Sequence, residues 1–176
     1  LKTVDMLIGQ PPLIVAQADE KLTERIREVR GTCKFNDALK LALIDFSRFG
    51  VALLRVFKNE KGRAALTAWN PNDWTPVFYA DGTNRIRYNV IGWFHGKNNE
   101  KLTLQIHDTQ DGRYEERICE VDSTGTIDRI VSSKVYNKTS GKQLLYAIIN
   151  TPTTTNPLGT NDYEIINGLL QKAIQR

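Results

Sequence analysis

Cysteine and histidine are scarce, with two of each in 176 residues. Cys33 and Cys119 lie far apart, so they read as small buried hydrophobes rather than a disulfide or metal pair, and a reducing, cytoplasmic setting fits them. His95 and His107 lack the close spacing of zinc ligands and read as exposed or locally hydrogen-bonded strand residues. Long apolar runs are absent too. None approaches the roughly 18 residues of a membrane-crossing helix, and no membrane partner is expected. Leu1-Lys2-Thr3 opens without the charged and apolar regions of a signal peptide. Phosphate cradles are missing: there is no Gly-x-Gly-x-x-Gly, and Gly141-Lys142 is followed by Gln143 where a phosphate loop needs Ser or Thr. A serine-nucleophile elbow, Gly-x-Ser-x-Gly, is also missing. His107-Asp108-Thr109-Gln110-Asp111-Gly112 lacks the further ligands and closing Glu of a calcium loop, and a hairpin turn accounts for all of it. Acids are plentiful, but their order in the chain does not tell whether any two face each other across a cleft. The expectation is a protein without catalytic residues, metal or cofactor.

What is present is an ordinary globular balance, 40% hydrophobic and 25% charged, enough for one full-sized domain with a core. Lys and Arg exceed Asp and Glu by 24 to 20, a net +4 with a pI near 9.1. The excess is dispersed. Its main emphasis, Arg85, Arg87, His95 and Lys97 at odd positions, has the spacing of a solvated strand face. The aromatics from Trp69 to Phe94 sit at strand spacing beside apolar neighbours, which favours packing over base stacking.

The periodicity predicts an α+β fold: N-terminal helices, central antiparallel strands and hairpins, and a C-terminal helix. Residues 1–8 read as the tail of a helix closed by Gly9 and Pro11-Pro12, with a short extended stretch at 13–15. An amphipathic helix follows over 19–30, its apolar face Leu22, Ile26, Val29 and Cys33. Gly31 should break it and Asn36 should cap a second, more buried helix over 37–49, ended by Gly50. The period then drops to 2. Strands over 51–57 and 64–69 flank a turn at Asn59-Glu60-Lys61-Gly62. A turn at 70–73 leads to a strand over 76–79, and Asp81-Gly82 leads to a long alternating strand in which Ile86, Tyr88, Val90 and Phe94 share a face. Leu102, Leu104 and Ile106 alternate in the next strand, Asp111-Gly112 turns into the strand 114–121, and Ser123-Thr124-Gly125 makes a third turn. The apolar run 144–149 reads as a strand buried on both sides. A Thr/Pro/Asn loop then reaches Asn161, which should cap a helix from Asp162 onward. That helix runs to Arg176 without a stop signal and Leu1 is not Met, so the chain reads as an excerpt of a longer one.

Three stretches make this order of parts resemble the portal proteins of tailed bacteriophages, in particular their wing region. Val4 through Pro12 is similar to a portal helix closing on a Leu-Ile/Phe-Gly-x-Pro-Pro step, with Gly9, Pro11 and Pro12 at the matching places. Asn36 through Val56 is similar to the portal helix that ends in a Tyr/Phe-Gly step, here Phe49-Gly50, and feeds directly into a strand. The hairpin partner of that strand then runs into Trp69-Asn70-Pro71-Asn72-Asp73-Trp74-Thr75-Pro76-Val77-Phe78, similar to an Asp-Pro-Glu-x-x-x-Pro-Val-Tyr passage, with Asn70 where Asp is commoner. Asn156-Pro157-Leu158-Gly159-Thr160-Asn161-Asp162 is similar to a Pro-x-Gly-x-Ser-Asp loop that opens the helix toward the stem, with Asn161 in place of Ser.

The resemblance implies a wing-like α+β domain over 1–160 and, over 161–176, the start of a helix leading to a stem beyond the sequence. It implies a structural, non-catalytic piece of a homo-oligomeric ring, usually of twelve subunits, at one capsid vertex. The full-length protein would meet terminase, scaffold, capsid and head-tail connector proteins, in the host cytoplasm during assembly and then in the virion. DNA would pass through the ring without sequence-specific binding. The residues marked out, Gly9, Pro11, Pro12, Gly50, Pro71, Pro76, Gly159, Asn161 and Asp162, carry structural expectations only. Two other readings stay open: a nucleic-acid-binding α+β module using the basic strand from Arg85 to Lys97, and an enzyme assembled from dispersed acids.

Overall fold

A computed structural model describes residues 14, 16, 19–137, 144–162 and 164. Two helices, α1 (Glu20–Thr32) and α2 (Phe35–Phe49), precede eight strands: β1 (Val51–Lys58), β2 (Ala64–Trp69), β3 (Trp74–Phe78), β4 (Ile86–His95), β5 (Lys101–Asp108), β6 (Tyr114–Val121), β7 (Ile127–Tyr136) and β8 (Leu145–Ile149). All pair antiparallel, in a three-stranded sheet of order β2-β1-β8 and a five-stranded sheet of order β3-β4-β5-β6-β7. The fold class is α+β. The chain divides into two compact units, residues 1–71 with 146–176, and residues 72–145.

In the first unit α1 begins as expected, because Asp19 accepts a 2.9 Å hydrogen bond from the Leu22 amide and caps the orphan donors of the first turn. Its end differs. The helix runs through Gly31 to Thr32, since one exposed glycine costs a helix only about 1 kcal/mol. Lys34 then takes a left-handed conformation (φ 53), and α2 starts at Phe35, two residues earlier than an Asn36 cap would allow. The Asn36 carboxamide oxygen instead accepts from Arg30 at 3.1 Å.

Helix α2 packs on β1 and β2. Ala38 and Ala42, one turn apart, are its buried residues, and they meet a core of Val51, Ala52 and Leu53. Small side chains on the helix let its backbone approach the sheet, and Leu53 fills the space completely, at 0% exposure. Gly50 ends α2 in a left-handed conformation (φ 76), as expected. The β1–β2 hairpin turns at Gly62 (φ 73), with Asn59 Oδ1 accepting from the Arg63 amide.

β8 corrects an expectation. It lies at an end of its sheet order and has one open face, with Tyr146 and Ile148 exposed, rather than being buried on both sides. The expected helix tail and proline step over 1–12, including Gly9, Pro11 and Pro12, lie outside the described residues. So does the C-terminal helix beyond Glu164.

The second unit is the five-stranded sheet, a meander of hairpins with turns at Gly82, Gly96, Gly112 and Gly125, each at positive φ. Pro76 sits inside β3, an edge strand, where proline is tolerated because alternate backbone N–H groups point away from the sheet. On β4 the buried residues are Asn89 and Ile91, while Phe94, on the face it shares with Ile86, Tyr88 and Val90, is half exposed. On β5 Thr103, Gln105 and His107 are buried and the alternating Leu102, Leu104 and Ile106 are less so.

Candidate functional site

The buried polar face of the second unit is held by cross-strand partnerships. The Trp74 indole donates to Asn89 at 3.0 Å, both groups being buried. Gln105 donates to its register partner Glu116 at 2.7 Å. His95 bonds Thr103 at 2.9 Å. His107, Tyr114 and Tyr136 occupy one row across β5, β6 and β7 and stack at 5.2 and 4.5 Å between ring centroids. The three hydrogen bonds satisfy polar groups that burial would otherwise penalise, and the ring row adds aromatic packing.

The opposite face holds an open groove of about 480 Å³ with a floor of Val77, Val90, Ile106 and Val135. Tyr88, Asp108, Arg113, Glu115 and Arg117 also line it. Its two carboxylates are committed. Asp108, 4% exposed, pairs with Arg87 at 2.9 Å. Glu115 accepts from Arg117 at 2.6 and 3.0 Å and from Ser133 at 2.7 Å. The Arg117 hydrogen bond comes first among the causes that hold the Glu115 carboxyl below its ordinary range, so it stays ionised near neutrality. Apolar contact along the floor and a half-exposed cation at Arg113 are what this groove presents.

The residues of the basic strand face do not act together. Arg85 precedes β4 and pairs with Asp81 at 3.0 Å; Arg87 is taken up by Asp108, Tyr79 and Gln110. The Tyr79 hydroxyl bond is the foremost cause raising the Arg87 pKa. Lys97 lies in the turn after β4. The unit that contains this strand has 10 Lys and Arg against 10 Asp and Glu, hence no net charge; the first unit has 14 against 10, the whole +4 excess.

In the first unit, four of the marked residues meet at one junction. A Cβ on Gly50 would stand 2.8 Å from the Thr160 carbonyl carbon. A Cβ on Gly159 (φ 80) would strike the Asn150 carbonyl oxygen and lie 2.9 Å from that of Gly50. Asn161 Oδ1 accepts from the Glu164 amide at 2.9 Å, which is capping geometry. Asp162 accepts from the Ser47 hydroxyl at 2.6 Å and from the Asn150 carboxamide at 3.0 Å. Pro71, also marked, is buried in the 3-10 turn Pro71–Asp73, apart from this set.

Asn150 was not legible in the sequence, although it sits at the centre of the junction. Its amide donates to Gly50 at 2.7 Å, its carbonyl accepts from Thr160 at 3.1 Å, and its side chain donates to the Thr160 carbonyl at 3.0 Å. Its only signal is its place as the first polar residue after an apolar run. Asp108 was absorbed into a turn reading; it does accept from the Gln110 amide there, but its ion pair with Arg87 joins residues 21 apart.

Among the described residues no three His, Cys, Asp or Glu side chains cluster as a metal site would require, and no helix is long and apolar enough to cross a membrane. No protein-family model matches the chain, and no curated protein matches it.

Proposed function

We propose that the chain is a structural, non-catalytic wing piece of a tailed-phage portal ring, the channel at the capsid vertex through which DNA is packaged and ejected. The observation that supports this reading most is the junction of Gly50, Gly159, Asn161 and Asp162. Two of the stretches that carry the portal resemblance, far apart in sequence, supply its parts, and it fixes an N-cap at the place where that resemblance puts the helix toward the stem. On this reading the helix runs on toward the stem, the full-length protein forms a closed ring of identical subunits, and heterologous contacts between neighbours close it. Terminase, scaffold, capsid and connector proteins would dock on that ring, in the host cytoplasm and then in the virion. A channel must let DNA slide, so a neutral second unit and arginines already engaged by carboxylates suit it better than an open cationic strip would.

Negative-stain electron microscopy of the protein expressed from its complete gene tests the proposal. Rings with a central channel are expected. Particles that stay monomeric at high concentration and varied salt would sink it. In that case salt-dependent binding to duplex DNA becomes the next measurement, for the nucleic-acid reading.

A further inference from the structure

We propose that Asn150 is a positioning residue, the pin of a clamp that makes the end of α2, the end of β8 and the chain leaving at Asn161 behave as one body. The proposal goes beyond the portal reading and stands whatever the protein's partners are. Asn150 sits where three segments cross. Its backbone amide holds the last carbonyl of the α2 terminus, Gly50, at 2.7 Å. Its backbone carbonyl and its carboxamide hold Thr160 from both sides, at 3.1 and 3.0 Å. The same carboxamide reaches Asp162 at 3.0 Å, and Asp162 in turn accepts from Ser47 in the last turn of α2. Gly50 and Gly159 have no room for a Cβ, so the backbones themselves are in contact.

The residue next in the chain shows what the crossing demands. Thr151 has φ 42, in the left-handed region. Asn, Asp and Gly enter that region readily, whereas a β-branched residue there is a genuine outlier that persists only where its surroundings over-determine it. Thr151 has no left-handed preference of its own, and the groups that fix its N-terminal neighbour are the four contacts of Asn150. The strain and the clamp are therefore one feature: with Asn150 pinned on both its backbone groups and its side chain, Thr151 takes the φ that remains.

This makes the sign of a second substitution depend on the first. With Asn150 present, Thr151→Gly relieves the left-handed strain and is expected to raise the thermal midpoint. With Asn150→Ala the side-chain contacts to Thr160 and Asp162 are gone and Thr151 can relax. Thr151→Gly then only adds freedom to the unfolded chain, and is expected to lower the midpoint. The second readout is amide exchange, followed residue by residue on the whole chain by NMR. In Asn150→Ala the Thr160 and Glu164 amides are expected to exchange at least about tenfold faster, a factor that corresponds to about 1.4 kcal/mol of local opening. The Leu22 amide, capped by Asp19, should keep its rate. Glu164 is the decisive amide, because its hydrogen bond goes to Asn161 and not to Asn150. Equal acceleration at Leu22 would mean general destabilisation and would overturn the clamp. So would an unchanged Glu164 rate, or a Thr151→Gly effect of the same sign in both backgrounds.

Discussion

The two sheets differ in how much polar side chain they bury. Around β1 the rule is the familiar one: Val51, Ala52 and Leu53 are inside, and α2 answers with Ala38 and Ala42. Around β4 and β5 the most buried side chains include Asn89, Thr103, Gln105 and His107, while Val77, Phe94, Ile130 and Val135 stand 42–56% exposed. The difference lies in how each interior is stabilised. The first gains from removing apolar area from water, at roughly 25 cal/mol per Å². The second rests on polar groups that find partners one strand away, which contribute little net energy while paired and cost much when orphaned. Alternation in a sequence says that a strand has two unlike faces; it does not say which face is covered.

Truncating a large apolar side chain to alanine in each unit should therefore give unequal results, and the smaller truncation should cost more. Leu53→Ala is expected to destabilise by about 2–5 kcal/mol, the range for emptying a packed site. Phe94→Ala, on the open face, is expected to cost less than about 1 kcal/mol. Urea unfolding of both variants checks this. A Phe94→Ala loss as large as that of Leu53→Ala would mean the apolar face is covered in solution and would remove the contrast.

Glycine gives the next comparison, because it separates backbone strain from collision. Gly50 and Gly82 have nearly the same φ, 76 and 71, but a Cβ at Gly82 meets nothing within 4 Å. Gly82→Ala should cost only the left-handed penalty, about 1–2 kcal/mol. Gly50→Ala must also displace the Thr160–Asn161 backbone and should cost clearly more. Thermal midpoints that fall by the same amount would show the junction to be loose.

In the polar interior, Trp74→Phe removes the indole donor to Asn89 while keeping most of the ring volume, and is expected to cost about 1–3 kcal/mol. Adding Asn89→Leu removes the stranded acceptor and should recover much of that loss. If the double variant is as unstable as the sum of the singles, the bond is not what holds this face, and shape is.

These outcomes bear on what was readable in the chain. The hairpin turns were legible, since Gly62, Gly112 and Gly125 supply positive φ where Asn59, Asp111 and Asp122 accept from amides two to four residues on. The Gly50 stop was legible for the same reason: its chemistry is local. The Asn36 cap failed because Lys34 turned the chain by a left-handed step that lysine does not announce. Which face of β4 is buried was not readable, because alternation is local while burial depends on what the rest of the fold lays against each face. Asn150 escaped because its partners, Gly50 and Thr160, are brought to it by the fold alone.

The smallest effect is the dependence on acid, and it again divides the units. Asp81 is held at about 2, against an ordinary 3.8, first by the Thr83 hydroxyl, then by the Thr83 amide and Arg85. Glu100, Glu115, Glu120 and Asp122 are also lowered, chiefly by the Asn98 amide, Arg117, Arg129 and the Thr124 hydroxyl respectively. All five lie in the second unit. A carboxyl whose folded pKa is depressed adds stability above its unfolded value, and that contribution is lost as pH falls through the folded value. Asp45, on α2, has the opposite sign: burial raises its pKa, so acid relieves a cost there instead of removing a benefit. Between about pH 5 and pH 2 the second unit should therefore weaken relative to the first. The exposed positions of most of these groups keep the effect small. Amide exchange of this chain at a series of pH values, corrected for the intrinsic rate, should show β6 and β7 losing protection before β1 and β2. The reverse order would mean that the hydrogen bonds at these turns and strand pairs do not hold their carboxylates ionised in solution.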